Sequence, residues 1–444
     1  MNKRITSLCI AVLLAGGLIV AVNAAEVMNW LGAAPAVNLS NNGSVMDESN
    51  LAVGPANHTA VIWSDKQSPR SVFLAQSAGQ DWITTTLAIV GNQQAWYPTI
   101  AYSGTEVIAA WVQGDIRADR SEPRAIMQRD ANALNAQTII TPVFGNTEIN
   151  LVIAPTGMHM IFAATTNSDT QKSPWDLYYT HRYFTATTWA TPTIAITHAQ
   201  VISTEIWNDH MTASILRPQL AVNADGKQLN IVWQQEHKET IQTIPSASTI
   251  TTRTIWYVSG TWGTEQIHWG VPQQMSPPDQ KLVLRPNIAV GSTGKVHIIW
   301  VEALQTMQYV NYLRLDTVEP MKITGEAMQM NDAQPTYAMA SIDTHGNTLC
   351  VVWHGFYTGS KEEITMRCSQ NEGTTWQPLI NVSENSERLS LFPVVKINDT
   401  GQAHVVWTEF RLVSGGFPVP EDVYYRTGTA EVMQVFLPLV LRAR

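Results

Sequence analysis

The sequence predicts an all-β protein, a β-propeller of four-stranded antiparallel blades. Three observations predict this fold. A similar segment recurs along the chain, as in RPQLAVNADGKQLNIVWQQE from Arg217 to Glu236 and RPNIAVGSTGKVHIIWVE from Arg285 to Glu302. Each copy holds a short apolar run, a turn and a second run of alternating polarity, which is typical of a β-hairpin. No stretch of the chain has a sustained helical period.

A large aromatic residue ends the alternating run of each copy. Seven such anchors lie 48 to 71 residues apart, a period typical of propellers and solenoids. They are Trp63, Trp111, Phe162, Trp233, Trp300, Trp353 and Trp407. Seven blades are therefore predicted, with six as the alternative, and we expect the anchors to fill the space between neighbouring blades.

Two further strands follow each hairpin. The third often contains tyrosine, as in VYYRT from Val423, and the fourth is weaker, as in INVS from Ile380. The last copy has no clear fourth strand, whereas AVNLS from Ala36 resembles INVS. We therefore predict that residues 36–40 pair beside residues 423–426 and close the ring, which leaves no open sheet edge.

The N-terminus has the pattern of an export signal. Lys3 and Arg4 precede an apolar run over residues 5–22, and Val22-Asn23-Ala24 resembles a small-residue cleavage site. The predicted organisation is a signal peptide (1–24), a linker (25–35), the propeller (36–430) and a tail (431–444). No other run approaches the roughly 20 apolar residues of a membrane-spanning helix. The mature chain is expected to be a secreted or cell-surface monomer without a membrane span.

The composition excludes several functional classes. A net charge of −9 and a pI near 5.7 argue against a nucleic-acid partner. No HExxH motif, GxSxG motif or glycine-rich phosphate loop occurs, so neither a metal nor a cofactor is predicted. His159, His297 and His404 recur at one position of the second strand, which indicates the repeat and not a metal site.

Two cysteines remain after removal of the signal. Cys350 and Cys368 flank the turn YTGS symmetrically, which places them opposite each other in an antiparallel hairpin. Directly opposed Cβ atoms lie about 4.5–5.5 Å apart, slightly wide for a disulfide. Because export permits oxidation, a Cys350–Cys368 disulfide and two buried free thiols both remain open.

The longer connections are predicted to gather on one face of the propeller. They are residues 113–124, 163–175, 198–211, 236–252 and 411–421. Arg117, Arg120 and Arg124 share the first of them. Because loops on a rigid scaffold commonly carry function, we expect a ligand to bind at this face.

Charged residues are predicted at the same face. Arg217 and Arg285 each precede a proline at the start of a first strand, close to the central axis. A carboxylate ends the second strand in four copies, at Asp65, Glu236, Glu302 and Glu409. Guanidinium groups bind carboxylates through paired hydrogen bonds, so these six residues are candidate ligand-binding groups. The alternative is solvated loop charge and Arg–Glu pairs between blades.

One turn carries a family resemblance. SQNEGTTW, from Ser369 to Trp376, resembles the Asp-box S-x-D-x-G-x-T-W, with Asn371 in place of the aspartate. Residues 36–430 therefore resemble the sialidase-like propellers with BNR repeats. The resemblance implies a structural role for Ser369, Asn371, Gly373 and Trp376. Catalytic sialidases are six-bladed and use an arginine triad with a tyrosine nucleophile, and their Phe-Arg-Ile-Pro motif is absent here.

Three functions are compatible with these observations. The leading hypothesis is an exported propeller that binds a glycan or an extracellular protein through its long-loop face without catalysis. The first alternative is a glycoside hydrolase of the exo-sialidase type, and the second is a surface scaffold. No catalytic residue can be chosen from the sequence.

Overall fold

The computed structural model describes most of the region predicted to form the propeller. The described residues are 28–30, 33–41, 45–65, 71–78, 81–89, 93–115, 124–132, 135–144, 148–165, 175–200, 211–242, 247–263, 266–277, 282–304, 307–316, 321–322, 328–329, 339–356, 362–384, 388–413 and 418–430. The predicted signal peptide (1–24) and tail (431–444) lie outside them.

The described residues form seven blades, each with four consecutively paired antiparallel strands, so the prediction of seven blades is confirmed and six is excluded. Blade 1 contains Val45–Val53, Thr59–Asp65, Ser71–Ala78 and Asp81–Ile89. Blade 2 contains Gln93–Ser103, Glu106–Asp115, Arg124–Asp130 and Gln137–Val143. Blade 3 contains Ile149–Ala154, Gly157–Ala164, Asp176–Arg182 and Thr193–Ile196. Blade 4 contains Met211–Val222, Gln228–Gln242, Ala247–Trp262 and Ile267–Trp269, with Gln273–Gln274 as an added short strand.

The remaining blades follow the same order. Blade 5 contains Val283–Val290, Val296–Leu304, Met307–Arg314 and Met321–Lys322, with Met328–Gln329 as an added short strand. Blade 6 contains Ala340–His345, Thr348–Phe356, Glu362–Ser369 and Ile380–Asn381, and the N-terminal strand Met28–Asn29 pairs parallel to the last of these. Blade 7 contains Leu389–Ile397, Gln402–Leu412, Pro418–Thr429 and, from the N-terminal region, Val37–Asn38. The helices of the described residues are two single 3₁₀ turns, Pro55–Asn57 and His198–Gln200. Neither could cross a bilayer.

The ring closes as the sequence predicts. Val37 and Asn38 pair with Tyr425 and Tyr424, and the Leu39 amide donates to the Val423 carbonyl at 2.8 Å. The chain just before this strand also packs on the ring, because the buried Trp30 indole N–H donates to the Thr429 carbonyl at 2.7 Å. Residues 28–30 and 33–40 therefore join blades 6 and 7.

The anchor aromatics form the core between blades. All seven are at most 3% exposed. Trp300 of blade 5, for example, shares a buried cluster with Val232 and Ile255 of blade 4. In a closed ring, each blade is covered by a neighbouring blade on both of its faces. One large side chain per blade therefore supplies much of the apolar area that is buried between blades.

The turn that resembles an Asp-box lies in blade 6 and packs against blade 5. Inside the turn, the Ser369 hydroxyl accepts from the Gly373 amide at 2.9 Å and the Asn371 side-chain oxygen accepts from the Thr375 amide at 2.8 Å. Outside it, the Glu372 carboxylate accepts from the Thr293 hydroxyl of blade 5 at 2.7 Å and lies 3.0 Å from Lys295. Trp376 packs edge-on against Tyr312 of blade 5, with ring centres 5.0 Å apart.

Cys350 and Cys368 lie directly opposite each other in the central hairpin of blade 6, with Cα atoms 4.1 Å apart, and their sulfur atoms are bonded. Both residues are fully buried. We predict that thiol counting on the purified, denatured chain from residue 25 onward finds no free thiol, and two after reduction. Two reactive thiols before reduction would contradict the bond.

Candidate functional site

A cavity of about 200 Å³ lies on the propeller axis. First-strand residues of all seven blades line it, because these innermost strands converge at the centre of the ring. Such an axial pocket is a common place for a ligand in a closed β-fold. We call its rim the first-strand residues that lie opposite the anchor aromatics or directly before that position.

The rim is built by a repeated backbone distortion. Four residues, each followed by proline, have left-handed backbone conformations; they are Tyr97 (φ 51°), Arg217 (φ 52°), Arg285 (φ 52°) and Phe392 (φ 58°). Each lies within a register shift, where the first strand has one residue more than its partner. This conformation is costly for a residue with a Cβ atom. Because the distortion occurs at the same position in four blades, it is a regular feature of this fold.

The blade before Arg285 and the blade before Phe392 help to hold these two distorted residues. The Arg285 amide donates to the side-chain oxygen of Gln234 in blade 4 at 3.2 Å. The Phe392 amide contacts Nδ1 of His354 in blade 6 at 3.4 Å. Gln234 and His354 each follow their blade's anchor tryptophan directly. In these two cases the register of one blade thus helps to fix the rim residue of the next distorted blade.

Two other blades place undistorted residues at the corresponding rim position. Glu148 in blade 3 and Met339 in blade 6 directly precede Ile149 and Ala340, which pair with the anchors Phe162 and Trp353. In blade 1 the corresponding residue is Glu48, whose side chain lies outside the described part. Hence the described rim runs, in blade order, through Tyr97, Glu148, Arg217, Arg285, Met339 and Phe392.

The rim carries an uneven distribution of charge. The guanidinium of Arg217 lies 3.4 Å from the carboxylate of Glu148. The guanidinium of Arg285 lies over the ring of Phe392, 5.9 Å from its centre. Blades 4 and 5 therefore present two neighbouring cations, with a carboxylate on one side and an apolar surface of Met339 and Phe392 on the other.

A polar layer lies next to the rim. The residues two positions after each rim residue also line the cavity, and most have an amide or hydroxyl group; they are Asn50, Thr99, Asn150, Gln219, Asn287, Ser341 and Val394. Asn150 links two blades, since its side-chain nitrogen donates to Gln219 at 3.1 Å and its oxygen accepts from the Leu220 amide at 3.1 Å. Amides and hydroxyls supply both donors and acceptors to a ligand.

The structure brings together two of the six predicted ligand-binding residues. Arg217 and Arg285 line the cavity, whereas the four carboxylates do not; Asp65, Glu236, Glu302 and Glu409 are all buried in the second strands. Glu236 pairs with Lys238 at 2.7 Å and with Arg253 at 2.8 Å. Burial alone would raise the pKa of Glu236, but hydrogen bonds and charges from Lys238 and Arg253 outweigh it and hold this pKa below its usual range.

The spacing from its anchor explains where the buried Glu409 points. In Trp-x-Glu the two side chains lie on the same face of a strand. Glu409 accordingly accepts from the indole N–H of Trp407 at 2.6 Å and from the Ser390 hydroxyl at 2.8 Å. The carboxylate that ends this strand satisfies a buried donor of the core.

The face around the rim contains fewer loops than expected. The predicted long connections 236–252 and 411–421 are largely strand, since the hairpin of blade 4 extends to Gln242 and Ala247 and that of blade 7 to Leu412 and Pro418. Alternation continues far enough in both segments to sustain pairing.

Arg124 begins the third strand of blade 2, where it is buried and stacked 4.7 Å from the ring centre of Trp96. Arg117 and Arg120 lie outside the described residues.

Tyr97, Glu148, Met339 and Phe392 were not identified from the sequence. The signal for two of them was present, because YPTI and FPVV align with RPQL and RPNI, and the residue before proline is the rim residue in each. Glu148 and Met339 lack the proline and can be placed only by alignment on the anchor aromatic. No group of three or more potential metal ligands occurs in the described part of the chain.

Comparisons with known proteins identify the fold. No protein-family profile matches the sequence, and no curated protein matches it. A polysaccharide lyase described as a PL25 ulvan lyase has a TM-score of 0.55 at 9% identity, over 88% of this chain and 95% of the lyase. The polysaccharide lyase Uly1 has a TM-score of 0.52 at 11% identity, over 90% of this chain and all of the lyase. The Trypanosoma rangeli sialidase in complex with sialic acid has a TM-score of 0.41 at 10% identity, over 90% of this chain and 58% of the sialidase. At these identities the likeness shows the fold alone.

Proposed function

We propose that this protein binds a saccharide that carries a carboxylate, in the axial cavity, as part of an exported propeller. The observation that carries the proposal is the pair Arg217 and Arg285. They occupy the same position in neighbouring blades, both are held in a left-handed conformation, and both line one cavity. A single exposed ion pair contributes only about 0–1 kcal/mol, so recognition of a carboxylate requires several such donors at one place.

The polar layer supports a saccharide over other carboxylates. A sugar ring presents hydroxyl groups that both donate and accept hydrogen bonds, and Asn50, Asn150, Gln219 and Asn287 offer amides in the same cavity as the two arginines. The apolar surface of Met339 and Phe392 would contact the C–H face of a ring. Two solved structures with TM-scores above 0.5 are described as polysaccharide lyases, which agrees with a carbohydrate ligand.

Binding without hydrolysis is the simpler function for this cavity. Glycoside hydrolysis most often requires two carboxyl groups flanking the scissile bond. Among the described side chains that line the cavity, Glu148 is the one carboxylate, and it is paired with Arg217. One observation favours the exo-sialidase alternative as a second candidate: Tyr97 lines the same rim in the blade next to Glu148.

The test of the proposal is the double variant Arg217→Ala with Arg285→Ala. Each charge-assisted hydrogen bond contributes about 1.5–3 kcal/mol, so loss of both side chains should weaken binding of an oligogalacturonate or a sialyl-oligosaccharide by roughly 100-fold or more. Calorimetric titration measures this loss. Alanine and arginine are equally strained by a positive φ at these positions, so the change in melting temperature should be limited to the cost of leaving Glu148 without Arg217.

The matched control is Arg388→Ala with Arg411→Ala, which removes two arginines that pair with Glu421 outside the cavity. It should bind as the wild type does. Equal binding by both double variants would contradict the proposed site. Release of sialic acid from a fluorogenic sialoside, abolished by the cavity double variant, would instead establish the exo-sialidase alternative.

A further inference from the structure

We infer that Gln234 is a positioning residue, which holds Arg285 at the rim and thereby gives the cavity its preference for a carboxylated sugar over an uncharged one. This inference rests on the proposed function and concerns the same site. It begins from one contact between blades, the hydrogen bond that the Arg285 amide donates to the side-chain oxygen of Gln234 at 3.2 Å.

Arg285 needs a restraint of this kind. Its φ of 52° is disfavoured for a residue with a Cβ atom, and the proline that follows it favours an extended backbone with negative φ. The local sequence therefore opposes the conformation that Arg285 adopts, and such a conformation persists where the surrounding structure holds it. Gln234 supplies part of that restraint from inside the core, because it is 3% exposed and its hydrogen bond is shielded from water.

Gln234 also lies beside the other arginine of the cavity. Its backbone pairs with Leu216, the residue directly before Arg217, within blade 4. Its side chain reaches into blade 5 and bonds the backbone of Arg285. One residue thus links the two strand positions from which the guanidinium groups extend, so the spacing of these groups at the rim depends on it.

The other blades show that a polar residue at this position accompanies the distortion. The residue directly after the anchor aromatic is polar in the blades that precede three of the distorted rim residues; it is Ser64 before Tyr97, Gln234 before Arg285 and His354 before Phe392. In the blades that precede the two undistorted rim residues it is valine, at Val112 and Val301. A polar group after the anchor therefore favours the distorted backbone in the next blade.

His354 repeats the arrangement of Gln234 on the opposite side of the cavity. Its Nδ1 lies 3.4 Å from the amide of Met339 in its own blade and 3.4 Å from the amide of Phe392 in the next. Arg217 is the exception among the distorted residues, because the residue after the anchor of the preceding blade is Ala163. A side chain without a polar group cannot hold its backbone in this way, so Gln234 should act on the ligand through Arg285.

Loss of the Gln234 oxygen should displace a charge and leave the cavity wall in place. The buried amide of Arg285 would then lack an acceptor in the distorted conformation. The start of the first strand of blade 5 would relax toward the extended backbone that Pro286 favours, and the guanidinium would move away from the carboxylate of the ligand. A sugar without a carboxylate does not depend on that charge.

The experiment compares the wild type with Gln234→Met, which keeps the length of the side chain but removes its acceptor. The probes are methyl α-D-galacturonide and methyl α-D-galactoside, which share a ring and differ in the carboxylate, titrated by ligand-observed NMR. We expect the affinity for the galacturonide to fall about tenfold, the contribution of one charge-assisted hydrogen bond, and the affinity for the galactoside to stay unchanged. If Gln234→Met does not fold, Gln234→Asn serves the same purpose, because its oxygen is one methylene too short to reach the amide.

The matched control is Gln235→Met in the same strand. Gln235 is also 3% exposed, but it points to the other face of the sheet, and its side-chain nitrogen and oxygen have no hydrogen-bond partner within the described part of the chain. This variant should bind both glycosides as the wild type does. A further test combines Gln234→Met with Arg285→Ala. Because Gln234 acts through Arg285, it should cause no additional loss in that background.

The outcomes distinguish this inference from the proposed function. A wild type that binds the galacturonide no better than the galactoside would contradict the carboxylate site and, with it, the role of Gln234. If the wild type prefers the galacturonide and Gln234→Met keeps that preference, or loses affinity for both glycosides equally, the positioning role alone is overturned. An additional loss of galacturonide affinity in the Arg285→Ala background would likewise show that Gln234 does not act through Arg285.

Discussion

Replacement of Trp300 by alanine should lower the free energy of unfolding by about 3–5 kcal/mol, the usual cost of truncating a fully buried aromatic residue. Trp300 is 0% exposed and packs in the cluster shared by blades 4 and 5. The void would therefore lie between two blades, where neither sheet can collapse into it without breaking its own ladder. Total stability is typically about 5–15 kcal/mol, so a loss of this size would abolish soluble expression if the wild type lies at the lower end of that range. Denaturant titration gives the size of the change.

The control for this variant is Phe184→Ala, which truncates an aromatic side chain that is 50% exposed in the turn after the third strand of blade 3. Its effect should stay within about 1 kcal/mol, as for most surface substitutions. A Trp300→Ala protein that keeps its melting temperature but loses saccharide binding would show that this tryptophan serves the ligand and not the core.

The repeat explains why so much of the fold could be predicted. An aromatic residue at one register position per blade is a requirement of core packing, so Trp300 and its equivalents recur in the sequence wherever a blade recurs in the structure. The closing strand was predictable for the same reason, because Val37 and Asn38 occupy a fourth-strand position and the segment around them resembles a fourth strand. Each of these features follows from a pattern that every blade must satisfy.

The cavity could be predicted only in part because it departs from that pattern. The extra residue at Arg217 or Arg285 interrupts the period of two, and a periodic pattern does not show which way a bulged residue points. Strand geometry also explains why a carboxylate that ends a second strand can lie away from the cavity. Glu409 lies two residues after Trp407, so strand geometry directs it to the indole and away from the axis. Glu148 carried no signal of its own, since it binds Arg217 from a different blade, 69 residues away.

Acid should unfold this protein through its buried histidines. His159, His297 and His404 are at most 3% exposed, and their Nδ1 atoms lie 2.7, 2.8 and 2.6 Å from the hydroxyl groups of Tyr179, Tyr312 and Tyr425. Burial lowers the pKa of each histidine from 6.5 to about 4. In the unfolded chain the same imidazoles take up a proton near pH 6.5. The unfolded state therefore binds more protons between pH 6.5 and 4, and stability falls as the pH is lowered through that window.

The size of this effect follows from the two pKa values. At pH 4.5 each histidine should contribute about 2.5 kcal/mol of destabilisation relative to pH 7, so three of them approach the whole stability of a typical domain. The variant His404→Gln keeps a hydrogen-bonding side chain beside Tyr425 but cannot take up the proton. Urea titrations at pH 7 and pH 4.5 should show a loss of stability about 2.5 kcal/mol smaller in this variant than in the wild type.

The exposed His58 provides the control, because His58→Gln should lose as much stability as the wild type does. If His404→Gln and the wild type lose stability equally, the acid sensitivity arises from carboxylates such as Glu236, whose pKa is held down by Lys238 and Arg253, and not from the histidine–tyrosine pairs.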